Sequence, residues 1–175
     1  MAAHMTGLTF RAAMSALAIL LFVGHAAAQS KTNVGSASKE SPFAPLAGSW
    51  SGGGTIDLAN GKHEPIKCRA SYDVLENQNK LQLNLHCASQ SYNFDLRASA
   101  AYSGAITGNW SESSRNAAGT LSGKIEGAGF QVVAKGQTFS ANLNLATRGA
   151  NQSVTIKSQD AQAEVRGATI TLRRS

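Results

Sequence analysis

The hairpin around which the chain is organised is residues 66–97, IKCRASYDVLENQNKLQLNLHCASQSYNFDLR. Apolar and polar residues alternate in both halves, as expected of strands that bury one face. If the chain reverses at residues 76–79, every apolar residue of the first strand meets an apolar residue of the second. The predicted pairs are Val74 with Leu81, Tyr72 with Leu83, Ala70 with Leu85, and Cys68 with Cys87. One register therefore satisfies burial, solvation and the geometry of a disulfide.

The two cysteines, Cys68 and Cys87, are predicted to form a structural disulfide. Directly opposed residues of an antiparallel pair have α-carbons close enough to be bridged. The spacing is not that of a C-x-x-C motif, and no histidine shares the predicted face, which argues against a zinc or redox site. A paired cysteine set is typical of an oxidising compartment.

The beginning of the chain is predicted to be a secretory leader, residues 1–28. His4 and Arg11 precede an apolar run, residues 12–23, that is too short to span a bilayer. Ala26-Ala27-Ala28 then offers a small-x-small cleavage site. We expect cleavage before Gln29 and a periplasmic or secreted protein; a retained membrane anchor is the alternative.

Residues 29–45 carry two prolines and no apolar period, which is typical of a flexible linker. The remaining residues, 46–175, are predicted to form one β-barrel domain. The chain is 42% hydrophobic and 15% charged, enough to build a core. Without the leader it keeps 15 basic and 10 acidic residues, a formal charge of +5. Because there is no basic cluster with interleaved aromatics, nucleic-acid binding is not expected; a weak attraction to an anionic membrane surface is compatible with the charge.

The hairpin pattern repeats along the mature chain, and it predicts about ten antiparallel strands in sequential order. The predicted reversals after the first hairpin lie at Ser89-Gln90, 103–105, 113–118, Gly127-Ala128, Gly136-Gln137 and 148–153. They place Leu85 opposite Phe94, Ala98 opposite Trp110, Trp110 opposite Leu121, Ile125 opposite Phe130, Val132 opposite Ala141, and Leu145 opposite Ile156. Asn60-Gly61 needs a bulge or a longer loop to keep the phase, and residues 158–167 are predicted to be a loop before a last strand, 168–173.

A meander of that many strands tends to close, because closure removes both edges. The predicted fold is therefore all-β: an up-and-down antiparallel barrel with one hairpin disulfide. The predicted interior carries Trp50, Tyr72, Leu83, Phe94, Trp110, Phe130 and Leu143. The predicted outer face carries Lys67, Arg69, Asp95, Arg97, Lys124, Lys135, Asn142 and Asn144.

Many inward positions hold small residues, which leave space beside the aromatic ones. The small residues are Ala70, Ala98, Ala100, Gly108, Gly123, Ala134 and Ala141. Barrels wider than eight strands enclose ligands, so we predict an interior site for a small apolar molecule or lipid. The predicted wall residues are Tyr72, Tyr92, Phe94, Tyr102, Trp110 and Phe130. The alternative is a structural barrel that is packed shut without a ligand.

The segment Leu46-Ala47-Gly48-Ser49-Trp50 resembles the Gly-x-Trp first strand of lipocalins and their calycin relatives. The resemblance implies that Gly48 and Trp50 form the barrel floor, with Arg173 as the nearest match for the basic residue that packs on the tryptophan. Residues 50–54, WSGGG, are similar to the opening of nitrobindin-like ten-stranded barrels, which bind haem. Haem needs an axial ligand; His63 is placed in a turn and His86 on the outer face, so no cofactor is predicted.

One further resemblance and one alternative arrangement of the two faces imply other functions. The combination of a Gly-x-Trp strand with a nearby disulfide is similar to small periplasmic inhibitors of secreted metalloproteases, in which case residues 29–45 would enter the protease cleft. An inverted barrel, apolar outside and polar inside, would be a small outer-membrane protein. Short strands, 6% aromatic residues and the ending Arg173-Arg174-Ser175 disfavour this reading.

Enzymatic activity is not expected from this sequence. Acid–base catalysis needs carboxylates or histidines that converge on a pocket. Asp57, Asp73 and Asp95 are predicted on the outer face, whereas Glu64, Glu76 and Asp160 are predicted in turns or loops. No metal site is predicted either.

Overall fold

The computed structural model describes residues 41–75, 79–137 and 139–175. These residues form a closed barrel of ten antiparallel strands, each paired with its neighbours in sequence, and the first strand also pairs with the last. The predicted fold class is confirmed. The strands are β1 (Gly48–Leu58), β2 (His63–Leu75), β3 (Lys80–Ala88), β4 (Asn93–Tyr102), β5 (Ile106–Glu112), β6 (Ala117–Glu126), β7 (Gly129–Gly136), β8 (Ser140–Arg148), β9 (Asn151–Ser158) and β10 (Val165–Arg174).

A 3₁₀ helix, Ala44–Leu46, precedes β1. We call the end of the barrel where β1 begins and β10 ends the lower end, and the opposite end the upper end. In the described part of the chain, no helix has the length and apolar character needed to cross a bilayer.

Closure depends on a close approach between β1 and β10, which glycines allow. The pairs run from Trp50 with Arg174 to Leu58 with Val165. A β-carbon added to Gly54 would lie 1.9 Å from the carbonyl oxygen of Thr169, and one added to Gly52 would lie 2.1 Å from that of Thr171. These contacts are impossible for a side chain, so the Gly-rich start of β1 is a requirement for closing the barrel.

The predicted register is confirmed for three hairpins and displaced by two residues in four others. All four predicted pairs of the β2–β3 hairpin are present, and the β4–β5 and β6–β7 pairs are also as predicted. The corrected pairs are Leu85 with Leu96, Trp110 with Gly119, Val132 with Leu143, and Leu145 with Val154. A displacement of two keeps every side chain on its predicted face, since side chains alternate with period two.

The physical reason for these displacements is loop length. The chain reverses between strands that end and begin at Ala88 and Asn93, Glu112 and Ala117, Gly136 and Ser140, and Arg148 and Asn151. The apolar pattern does not determine the lengths of these connections. The β1–β2 connection spans residues 59–62 and so has the longer loop that the phase required. The last loop is shorter than predicted, because β10 begins at Val165 rather than at residue 168.

The division into two faces follows the prediction. The predicted outer residues are exposed, except Asp57, which is half-buried, and all predicted interior residues are buried or half-buried. The apolar set therefore lies inside and the charged set outside, which is the opposite of the outer-membrane arrangement considered as an alternative.

The lower end is filled by the segment before β1. Phe43 and Leu46 are each 2% exposed, and the Phe43 ring stacks on Phe130 with 5.8 Å between ring centroids. Sequence reasoning placed residues 41–45 in a flexible linker, but these residues pack against the barrel. The rest of that linker and the leader, residues 1–40, lie outside the described residues.

Candidate functional site

The interior has a tightly packed side and a loosely packed side. Inward residues of β1, β2 and β10 are almost fully buried and belong to one apolar core that includes Trp50, Ile56, Ile66, Tyr72 and Leu172. This core also reaches Phe43 and Leu46 at the lower end. That half of the barrel is therefore filled by the protein's own side chains.

Part of the opposite wall, on β4, β6 and β8, differs. Its inward residues Leu96, Ala98, Leu121 and Leu143 are only half-buried, and within the described part of the chain they do not pack against the core. Gly108 and Gly119 stand between them in the ladder without side chains. Apolar side chains that face inward and still reach solvent indicate unfilled volume next to this wall. We call these four residues, together with the buried Trp110 that stands opposite Ala98, the open wall.

The predicted wall residues divide between the two ends of the barrel. Tyr92, Phe94 and Trp110 lie toward the upper end, and Tyr72, Tyr102 and Phe130 lie toward the lower end. The structure does not bring them together into one cluster. Among them, Trp110 belongs to the open wall, where it is 6% exposed and packs edge-to-face on Phe139 with 5.9 Å between centroids.

Two of the aromatic residues toward the lower end, Tyr72 and Phe130, contact other residues of the protein. The hydroxyl of Tyr72 donates to Oε1 of Gln152 at 2.9 Å, and Nε2 of Gln152 donates to Oγ1 of Thr147 at 3.3 Å. Burial raises the pKa of the Tyr72 phenol, so this group stays a neutral donor. Phe130 is covered by Phe43. Tyr72 and Phe130 therefore hold the lower end together.

The upper end carries an aromatic pair covered by an arginine. The rings of Tyr92 and Phe94 stack with centroids 6.3 Å apart, and the guanidinium carbon of Arg115 lies 4.6 Å from the Phe94 centroid. Nη1 of Arg115 also donates to the Asn93 carbonyl at 3.0 Å. Tyr92 lies in the loop before β4, and a hydrogen bond with Glu164 raises the pKa of its phenol.

Glu112 holds the loop that carries Arg115. Its buried carboxylate accepts backbone N–H groups from Asp95 at 2.9 Å, Ser114 at 3.0 Å and Arg115 at 2.8 Å. Burial raises the pKa of Glu112, but these donors outweigh burial and leave it below its ordinary value. Sequence reasoning missed this residue, because its donors come from a neighbouring strand and a loop.

Replacing Glu112 by glutamine should lower the free energy of unfolding by about 2 kcal/mol at neutral pH, since hydrogen bonds to a charged acceptor are lost. The folded-state pKa is depressed, so the contribution of the carboxylate is present above the unfolded pKa of about 4.3 and is lost as pH falls through the lower folded value. Urea unfolding at neutral and acidic pH measures both effects.

A matched control is Glu126→Gln, because the Glu126 carboxylate is 57% exposed and lies 3.9 Å from Lys124. We expect this substitution to change the free energy of unfolding by no more than about 0.5 kcal/mol. A Glu112→Gln protein as stable as the wild type at neutral pH would contradict the role given to this carboxylate.

Gly48 and Trp50 lie at the start of β1, at the lower end, which we call the floor. The arginine that packs on Trp50 is not the predicted one. The guanidinium carbon of Arg174 lies 4.4 Å from the Trp50 ring centroid, and its nitrogens donate to the carbonyls of Ala47 and Pro45. Arg173, which was predicted for this place, is exposed on the outer face. The indole Nε1 of Trp50 donates to the Leu46 carbonyl at 2.7 Å.

The described histidines lie outside the barrel. Nδ1 of His63 is 2.6 Å from Oδ1 of Asp57 and is exposed, and His86 is exposed on β3. Within residues 41–75, 79–137 and 139–175, no group of three or more His, Cys, Asp or Glu side chains is arranged to hold a metal ion. Glu64 accepts the Ser91 N–H in a turn contact at the upper end.

Two depressions lie on the outer wall. One of about 420 Å³ is lined by Arg69, Asn84, His86 and Asp95, among others, and one of about 560 Å³ by residues that include Gln82, Ser99 and Asn109. Both are open to solvent. Polar side chains border most of the first, whereas polar and apolar residues border the second in equal number. They lack the enclosure that small-molecule sites usually have.

No protein-family model and no curated protein matches this chain. Several solved structures are similar to it. The crystal structure of Rv2717c from M. tuberculosis superposes with a TM-score of 0.58 at 10% identity, covering 76% of this chain and 94% of that one. The S-type phycobiliprotein lyase CPES from Guillardia theta gives a TM-score of 0.53 at 12% identity, covering 76% of this chain and 90% of the other. These likenesses show a common fold.

Proposed function

We propose that this chain is an exported, non-enzymatic barrel protein that holds a small apolar molecule or lipid in its interior without a covalent bond. The observation that carries the proposal is the open wall, where the inward residues Leu96, Ala98, Leu121 and Leu143 are half-buried and lie apart from the core. A barrel packed shut would bury these side chains as fully as those of β1, β2 and β10. The apolar character of the wall favours an apolar occupant.

Entry from the upper end is part of this proposal. The 3₁₀ helix and Phe43 fill the lower end, whereas the upper end consists of the strand connections and the aromatic pair Tyr92–Phe94. Export is supported by the Cys68–Cys87 disulfide, which is typical of an oxidising compartment. Periplasmic location and leader cleavage concern residues 1–28 and stay predictions, as does protease inhibition through residues 29–45.

Direct identification of the occupant tests the proposal. The full chain is expressed with its leader, purified from the exported fraction without detergent, and extracted with solvent for mass spectrometry. We expect a hydrocarbon-rich compound in stoichiometric amount, or, for a protein purified empty, enhanced fluorescence of the neutral dye Nile red. A protein that is empty and also fails to bind Nile red would contradict the proposal.

Replacing Ala98 by phenylalanine should weaken Nile red binding at least tenfold, because the new ring would fill space beside the open wall. Ala98 stands opposite Trp110 and is half-buried. If the interior is open, the added ring should cost little stability. In a filled core the same change would cost about 1 to 3 kcal/mol. Dye titration and urea unfolding separate these outcomes.

The matched control for Ala98→Phe is Ser99→Phe. Ser99 is the next residue on the same strand and points outward, so the ring is added without entering the barrel. Dye affinity should be unchanged in this variant. Equal loss of binding in both variants, or a loss of stability confined to Ala98→Phe, would contradict an open interior.

A further inference from the structure

Trp110 is held in one position on the open wall. On β5 it lies between Ala98 of β4 and Gly119 of β6, and neither neighbour covers it with a large side chain. Its ring is fixed by the edge contact with Phe139, and a β-carbon added to Gly136 would come within 3.0 Å of Cζ2. Small residues around the indole thus make room for a large ring in a defined orientation.

The indole N–H of Trp110 lacks a hydrogen-bond partner. Its Nε1 is buried, and none of the described residues offers it an acceptor. The other tryptophan differs, because Nε1 of Trp50 donates to the Leu46 carbonyl. A buried donor without an acceptor is rare in native proteins and calls for a partner, which none of residues 41–75, 79–137 and 139–175 supplies. On an apolar wall, an occupant of the barrel can supply that acceptor.

The charged side chains around the interior indicate which kind of ligand group can accept the hydrogen bond from Trp110. Arg174, the inward arginine of the floor, is already engaged by Trp50 and two carbonyls. Glu64, Glu112 and Glu164 surround the upper aromatic pair, and Arg115 is engaged by Phe94 and Asn93. An anionic group would meet carboxylates on entry and no unengaged described cation inside, which disfavours fatty-acid carboxylates.

We propose that the ligand is a neutral compound with an acceptor oxygen, such as the carbonyl of a ketone, ester or quinone, that accepts a hydrogen bond from Nε1 of Trp110. Its hydrocarbon part lies along Leu96, Leu121 and Leu143. Trp110 is thus the residue that determines specificity for an oxygenated over a pure hydrocarbon ligand. This inference rests on the proposed function.

The test compares three probes of equal chain length, methyl decyl ketone, dodecane and dodecanoic acid, by displacement of Nile red. In Trp110→Phe, which keeps an aromatic ring and removes the N–H, the ratio of ketone affinity to dodecane affinity should fall about fivefold. In Trp50→Phe, the control in which the removed N–H already had a protein acceptor, the ratio should stay as in the wild type. Dodecanoic acid should bind more weakly than the ketone.

A second measurement keeps the inference testable if Trp110→Phe does not fold. The wild-type chain has two tryptophans, so its proton–nitrogen NMR spectrum contains two indole N–H signals. Methyl decyl ketone should shift one of them strongly to lower field, and dodecane should not. An unchanged affinity ratio in Trp110→Phe, equal NMR effects of ketone and dodecane, or tightest binding of dodecanoic acid would overturn the inference. If Nile red binds but none of the probes displaces it, the inference fails; if Nile red does not bind either, the proposed function itself fails.

Discussion

Replacing Trp50 by alanine should lower the free energy of unfolding by about 4 kcal/mol, because a large buried ring is lost and a cavity remains. Trp50 is 1% exposed and contacts both chain ends of the barrel: its Nε1 bonds Leu46, and its ring face supports Arg174. The total free energy of unfolding of a domain of this size is roughly 5 to 15 kcal/mol. Urea denaturation followed by circular dichroism measures the loss.

Two pairs of variants separate the contributions to this loss. Trp50→Phe keeps a buried ring but loses the indole N–H bond to Leu46, and should cost clearly less than alanine. Arg174→Met should cost about 2 kcal/mol, since hydrogen bonds from a charged donor to the Ala47 and Pro45 carbonyls are lost. Arg173→Met removes the same charge from the outer face and should change the free energy of unfolding by no more than about 0.5 kcal/mol. The reverse ranking of the two arginines would contradict the floor described here.

The position of Arg174 on Trp50 was missed because the predicted last strand ended one residue too early. Ala168, Ile170 and Leu172 define an inward phase, and the same phase continued by one step reaches Arg174. The predicted strand ended at Arg173, so the nearest basic residue was taken from the wrong face. No local turn connects β1 to β10, and their register therefore depends on closure of the whole barrel.

The alternation of apolar and polar residues was sufficient to predict the fold, because every error in the predicted register was a displacement by two residues. Four hairpins have registers displaced by two residues, yet each side chain kept its face. The individual neighbours changed, however. Trp110 faces Gly119 rather than Leu121, and the unpartnered indole beside two glycines could not be seen before this correction. The fold tolerated such errors, whereas the candidate site depends on individual pairs.

Phe43 and Glu112 illustrate a second limit. Phe43 lies between two prolines in a polar stretch, and composition assigned it to a linker although it stacks on Phe130. Its apolar side chain close to Leu46 was the available signal. Glu112 occupies an inward position of β5, where a carboxylate is costly unless its acceptors are satisfied. An inward acid at a strand end was a signal for loop capping.

Removing the disulfide with Cys68→Ala and Cys87→Ala together should lower the free energy of unfolding by about 3 kcal/mol, mainly by freeing the unfolded chain. The bridge closes a sequence separation of 19 residues, and its α-carbons are 4.1 Å apart. Both cysteines are buried, at 3% and 2% exposure, so alanine leaves no unsatisfied polar group. Urea unfolding of the oxidised wild type, the reduced wild type and the double variant measures the effect.

The three samples also test the physical cause of the stabilisation. If the bridge acts on the unfolded chain, the reduced wild type should lose stability similarly to the double variant, and a reducing agent should not affect the double variant. Cys68 and Cys87 belong to β2 and β3, on the packed side, whereas the open wall is formed by β4 to β8. Nile red affinity measured without urea should therefore stay within about twofold of the wild type. A double variant that remains folded but no longer binds the dye would mean that the packed side shapes the ligand site as well.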